Sequence, residues 1–227
     1  MADKSILSSA IGFGIKEVAD VAFYPANSID VNEEGNVVVL PADKLPADIN
    51  QGDVKPLLIL DTLKVSTIEN TAEQADAKGG KGNAPLIIWD YGREITVSLQ
   101  DAVLSERTLS LMFENDVEGG ESNVITISAN TFPGNYAVVG RTFARDITTG
   151  KDHLFTWFVP NAKVNSEVTL TMEAEGDPTV FDMNLRVLRT SDGTMVKMIR
   201  ASAPSETYVP LTAFDVAPAT QATEAQG

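Results

Sequence analysis

The chain has 227 residues, 43% of them hydrophobic, and its 32 acidic and 17 basic side chains give a formal net charge of -15. It has no cysteine, which excludes disulfides, thiolate metal sites, iron–sulfur clusters and a cysteine nucleophile, and its single histidine cannot assemble a zinc site. Such acidity argues against gripping a nucleic-acid backbone, which takes clustered Lys and Arg, but is compatible with surrounding nucleic acid without holding it.

In chain order, the first element is a weak helix candidate at Ser5–Ile15, interrupted by Gly12 and Gly14, each costing about 1 kcal/mol in a helix interior. The start, Met-Ala-Asp-Lys-Ser, lacks a basic stretch leading into an apolar one, so a secretion signal is not expected. A turn at Glu33-Glu-Gly-Asn36 leads into a strand at Asn36–Leu40. Residues 42–55, with prolines 41, 46 and 56 in or beside them, read as a loop. A strand is expected at Leu57–Ile68. Residues 70–85 contain few large apolar side chains and read as a second long loop, of the length that is functional or disordered in compact domains.

Strands follow at Leu86–Trp89 and at Glu94–Gln100, where alternation puts Ile95, Val97 and Leu99 on one face. Ser105 is placed to cap a helix running to Phe113, with Leu109, Met112 and Phe113 on one side. Further strands are expected at Val124–Ala129, Tyr136–Ala144, Leu154–Val159, Val168–Glu173, Phe181–Val187 and Thr194–Arg200. Turns separate them at Thr148–Lys151, Glu175–Pro178 and Ser191–Thr194. Asp192-Gly193 is the strongest hairpin signal, because Asp-Gly readily takes up positive φ. From Ala203 the chain turns to Pro, Thr, Gln and Ala, with Tyr208, Leu211 and Phe214 able to dock. These elements predict a mainly β fold, a β-sandwich or barrel with one or two short helices and extended loop and terminal arms. The expected organisation is one domain over 1–202 and a C-terminal arm over 203–227, mobile or ordered against a neighbour. No apolar run approaches the roughly 20 residues of a spanning helix, so no membrane contact is expected.

The chemistry of sites yields little. His153 would have to serve any Ser-His-Asp triad, yet no Gly-x-Ser-x-Gly elbow exists, and a surface or turn histidine is the expectation. Gly79-Gly-Lys-Gly-Asn83 lacks the Ser or Thr after lysine and the following helix that a phosphate loop needs. Glu173, Glu175 and Asp177 do not have the spacing of an EF-hand loop. No catalytic, cofactor-binding or metal-ligating residue is therefore assigned, no cofactor is expected, and an enzyme is not expected. Trp89, Tyr91, Trp157 and Phe158 lie in strands, where aromatics are usually core and sometimes an interface. Arg93, beside Tyr91, could pair with an acid inside the chain or across a subunit boundary.

The stretch Lys78-Gly-Gly-Lys-Gly-Asn-Ala-Pro-Leu-Ile-Ile-Trp-Asp-Tyr-Gly-Arg-Glu-Ile-Thr-Val-Ser-Leu-Gln-Asp-Ala-Val-Leu-Ser105, together with the hairpin Ala174–Val187, resembles the major tail or tail-tube proteins of long-tailed bacteriophages. The resemblance runs from about Asn70 to Arg200. It implies a structural virion protein of the tail, assembled in the host cytoplasm as stacked hexameric rings around a channel through which DNA passes without specific binding. Its expected partners are copies of itself and tail sheath or terminator proteins. Lys78, Gly79, Gly80, Lys81, Gly82 and Asn83 become candidate inter-subunit residues, and Trp89, Tyr91 and Arg93 either core or interface. Two other readings stand beside it: another virion component (capsid decoration or baseplate), and a carbohydrate-binding β-sandwich.

Overall fold

A computed structural model describes residues 13–15, 20–78, 85–102, 105–113, 129–130, 132–165, 181–205, 207, 210–211 and 217–218. The expected strand at Val124–Ala129 (apart from Ala129, in a turn), the strand Val168–Glu173 and the turn Glu175–Pro178 lie outside them. The elements are β1 (Phe13–Ile15), β2 (Asp20–Pro25), β3 (Ile29–Val31), β4 (Val37–Val39), a 3-10 turn at Gln51–Asp53, β5 (Leu58–Leu60), β6 (Leu63–Lys78), β7 (Pro85–Asp101), α1 (Glu106–Phe113), β8 (Asn135–Asp146), β9 (Asp152–Val164), β10 (Phe181–Val187), β11 (Lys197–Pro204) and β12 (Ala217–Pro218). The fold is mainly β, with one short helix among the described residues. Ser105 caps that helix as expected, its Oγ accepting from the Thr108 amide at 3.0 Å.

Nine strands form one sheet in the order β5-β2-β8-β9-β10-β7-β6, with β1 added on β8 and β11 on β9. β9 carries β11 along Phe155–Phe158 and β10 along Ala162–Val164, so the sheet forks there. The branch through β10, β7 and β6 lies over β5, β2, β8 and β9 across the main core, which includes Val97, Leu99, Val138, Trp157, Met183 and Leu185. A separate three-stranded sheet, β12-β4-β3, covers the opposite face of the central strands. A second core of Tyr24, Ile29, Val37, Val139, Phe158 and Leu211 lies beneath it.

Period-two alternation sorts the central strands between these cores. On β2, Val21 and Phe23 enter the first and Ala22 and Tyr24 the second; on β8, Val138 enters the first, Ala137 and Val139 the second. Strands covered on both faces lose the apolar/polar alternation that marks a half-buried strand. That is why 20–25 carries no strand signature in the sequence.

Polar ties fasten the third layer. The Gly35 carbonyl, in the β3–β4 turn, accepts from buried Arg141 Nη2 at 3.1 Å and from Thr156 Oγ1 at 3.0 Å. The Leu211 amide donates to the Asp20 carboxylate at 3.1 Å, and Ala217–Pro218 pair in parallel with Val38–Val39. Described parts of the C-terminal segment thus lie against their own chain, and β11 runs to Pro204, past the arm boundary expected at 203.

Three expectations are corrected. Of the helix candidate Ser5–Ile15, residues 5–12 lie outside the described residues, and 13–15 are not helix but a strand paired with Ala144–Asp146. Residues 70–78, expected in a loop, continue β6. His153 is buried, not a surface or turn residue, with Nδ1 2.9 Å from the Ala201 carbonyl, an acceptor that this nitrogen satisfies by donating.

Gly140 sits flat against Trp157: a Cβ there would meet the indole ring at 2.0 Å. Gly140→Ala is therefore expected to destabilise the fold by about 1–3 kcal/mol or more, since overpacking must displace a buried aromatic; denaturant unfolding followed by circular dichroism measures it. The Asp192 carboxylate is held down at about 2 by the Thr190 hydroxyl, then by the amide and hydroxyl of Thr194. A carboxyl depressed on folding stabilises above its unfolded value, near 3.9, and loses that contribution as pH falls through its folded value. Asp192→Asn is expected to flatten the decline in stability between about pH 4 and pH 2, measured by acid titration of the melting temperature.

Candidate assembly surface

β6 and β7 pair as one antiparallel hairpin from Leu63 and Asp101 out to Lys78 and Pro85. Its base belongs to the core: Ser66, Ile68 and Asn70 pair with Leu99, Val97 and Ile95 on the inward face. Beyond Thr71 the described residues of both strands are almost all exposed, so this stretch is an arm standing clear of the body.

The arm's face is decided at Gly92. Thr71 pairs with Glu94, but Glu73 pairs with Tyr91, so β7 spends one residue more than β6 over this step. That is a β-bulge, and Gly92 takes φ +59 to make it, a value glycine adopts without penalty. One extra residue exchanges the two faces of everything beyond it. Tyr91, Trp89 and Ile87 continue the odd-numbered series of Leu99, Val97 and Ile95, and without the bulge they would share the core face. With it they sit opposite Glu73, Ala75 and Ala77, on the outward face that carries Thr67 and Glu69. The result is an apolar stripe in water: Ile87, Trp89 and Tyr91 are 52%, 53% and 52% exposed. The small Ala75 and Ala77 across the ladder leave these rings uncovered.

The arm's other face is polar. Gln74 Nε2 donates to Asp90 Oδ1 at 2.8 Å, and Lys78 pairs with Asp76 at 3.1 Å; Ile88, 56% exposed, lies on that side. The body's outward face is polar as well, with Ser98 donating to Asn184 at 2.8 Å and Gln100 to Asp182 at 2.9 Å.

The residues singled out by sequence therefore divide. Trp157 and Phe158 are core, whereas Trp89 and Tyr91, for which core was the more usual expectation, are exposed on the arm. Arg93 is exposed beside the bulge. Lys78 ends β6, and Gly79, Gly80, Lys81, Gly82 and Asn83 lie outside the described residues. The bulge has one trace in the sequence, Gly92, an isolated glycine inside a strand pattern, and the alternation on either side of it gives no other sign.

Among the described residues no group of three His, Asp or Glu side chains is placed to hold a metal ion, and no helix is long and apolar enough to cross a membrane.

A forked antiparallel sheet with a long, partly apolar projecting arm defines a mainly β protein with an exposed apolar stripe. The model of the YomU/Tube protein family matches residues 47–124 and 118–200. The chain belongs to that family, a structural tube family. No curated protein matches the chain. The matched residues include the whole arm, while β3, β4 and β12 fall outside them.

In dilute solution Trp89 is expected to be open to solvent and Trp157 protected. Acrylamide quenching should show two populations of tryptophan emission, and Trp89→Phe should remove the quenchable, red-shifted one while leaving the circular dichroism unchanged.

Proposed function

We propose that this chain is the subunit of a bacteriophage tail tube, forming hexameric rings that stack around a channel for DNA. The exposed apolar stripe on the β6–β7 arm carries this reading, together with membership of a tube family. A two-stranded ribbon is at best marginally stable by itself in water, so an arm with uncovered aromatics calls for a neighbouring surface. β6 is also a long edge strand, without a partner on its outer side among the described residues. Such an edge invites pairing with another chain, and ring closure uses that tendency in a bounded way.

The charge of -15 supports the same reading. An acidic channel repels phosphate, so DNA slides without sticking. On this account the protein resides in the virion tail, and its partners are further copies of itself, with sheath or terminator proteins at the tube's surface or end.

Negative-stain microscopy of concentrated protein should show stacked six-fold rings. Trp89→Ser with Tyr91→Ser should suppress them while leaving a folded monomer by circular dichroism. A chain that stays monomeric at high concentration, and is absent from any particle, refutes the proposal.

A further inference from the structure

Besides the arm's apolar stripe, the chain carries a partly apolar cleft. Between the two branches of the main sheet opens a cleft of about 250 Å³. Its apolar lining includes Ile68, Phe155, Trp157 and Met198, and Asp20 and Arg141 line it as well. An apolar cavity of roughly 150 Å³ already accommodates benzene, so this cleft has room for an aromatic side chain. Met198, at its mouth, is 58% exposed, a large apolar group left in water.

The chain cannot fill the cleft with its own arm. Ser66 and Ile68, which line it, lie on the core face of the β6–β7 ribbon, while the Gly92 bulge has moved Trp89 and Tyr91 to the opposite face. Trp89 is opposite Ala75, seven residues beyond Ile68 on β6, or about 23 Å further out along a strand. The ladder between the two strands is continuous over that distance, apart from the bulge, and carries Trp89 away from its own chain's cleft.

The geometry points to insertion of Trp89 of one copy, flanked by Ile87 and Tyr91, into the cleft of a second copy, against Ile68, Phe155, Trp157 and Met198. This rests on the tube reading and names the receptor that the arm occupies. Stripe and cleft are different surfaces, so the contact is head-to-tail and propagates from copy to copy instead of closing a two-fold dimer. The contact is also small. Two half-exposed aromatics and an isoleucine cover a few hundred Å², well below the roughly 1,000 Å² of a stable interface. It holds only when each copy engages several neighbours at once, which makes assembly steeply dependent on concentration.

The natural absence of cysteine makes the test clean. Ile87→Cys and Met198→Cys each leave Trp89 in place. Under assembly conditions a short bis-maleimide should link the double variant into a ladder of dimers, trimers and longer chains. An equal mixture of the two single variants should stop at dimers, and each single variant alone should stay uncrosslinked. Met198→Lys should raise the concentration needed for assembly roughly tenfold, the effect of losing about one apolar contact. Adding Trp89→Ser to it should cost much less than the two single effects combined, because both disrupt one contact. Stacked rings without the ladder, or Ile87→Cys alone crosslinking as well as the mixture, overturn the assignment of the cleft and leave the tube reading standing. Absence of both rings and ladder overturns both.

Discussion

Coverage of β8 and β9 on both faces is the constraint around which the rest is arranged. With no side of this pair left for water, a layer must lie on each face, and the alternating side chains of β2, β8 and β9 supply one core per layer. The close approach of Gly140 to Trp157 belongs to the same constraint: the two strands carry their bulk in register, and one position must give up its side chain altogether. The buried Arg141 belongs to the same arrangement, with Nη2 donating to a backbone carbonyl of the third layer.

The arm obeys a different rule. It is held by ladder hydrogen bonds and not by burial, and its first strand, Asn70 to Lys78, contains no large apolar side chain. Backbone pairing fixes its shape, leaving its side chains available for contact with other chains. The bulge links arm to body: one glycine with positive φ changes a continuous apolar series from core into surface.

How much of this could be read beforehand follows from the same physics. β7 and β10 are half-buried strands, and their alternation is plain in Glu94–Gln100 and Phe181–Val187. The α1 cap and the Asp192-Gly193 turn were legible because local hydrogen bonds fix them, but the turn does not close the expected hairpin: the flanking strands β10 and β11 both pair with β9 and not with each other. β2 was not legible, since a run buried on both sides has no period. The outer half of β6 was not, because its partner strand, and not its own composition, makes it a strand. The site was half visible: Trp89 and Tyr91 stood out as residues, but their face depends on one extra residue in β7. His153 carries no sign in the sequence that β11 will cover it.

The third layer has a consequence for how the chain reaches its final state. Phe23 of β2 pairs with Val138 of β8, and Ala217 at the far end pairs with Val38. β1 has no partner until β8 is made, since Ile15 pairs with Ala144, and β2, although it pairs early with β5, waits for β8 on its other side. Closing such long loops slows folding. Meanwhile the arm, a local hairpin, forms within microseconds. The arm, whose two strands are neighbours in sequence, thus pairs long before Ala217–Pro218 close the third layer.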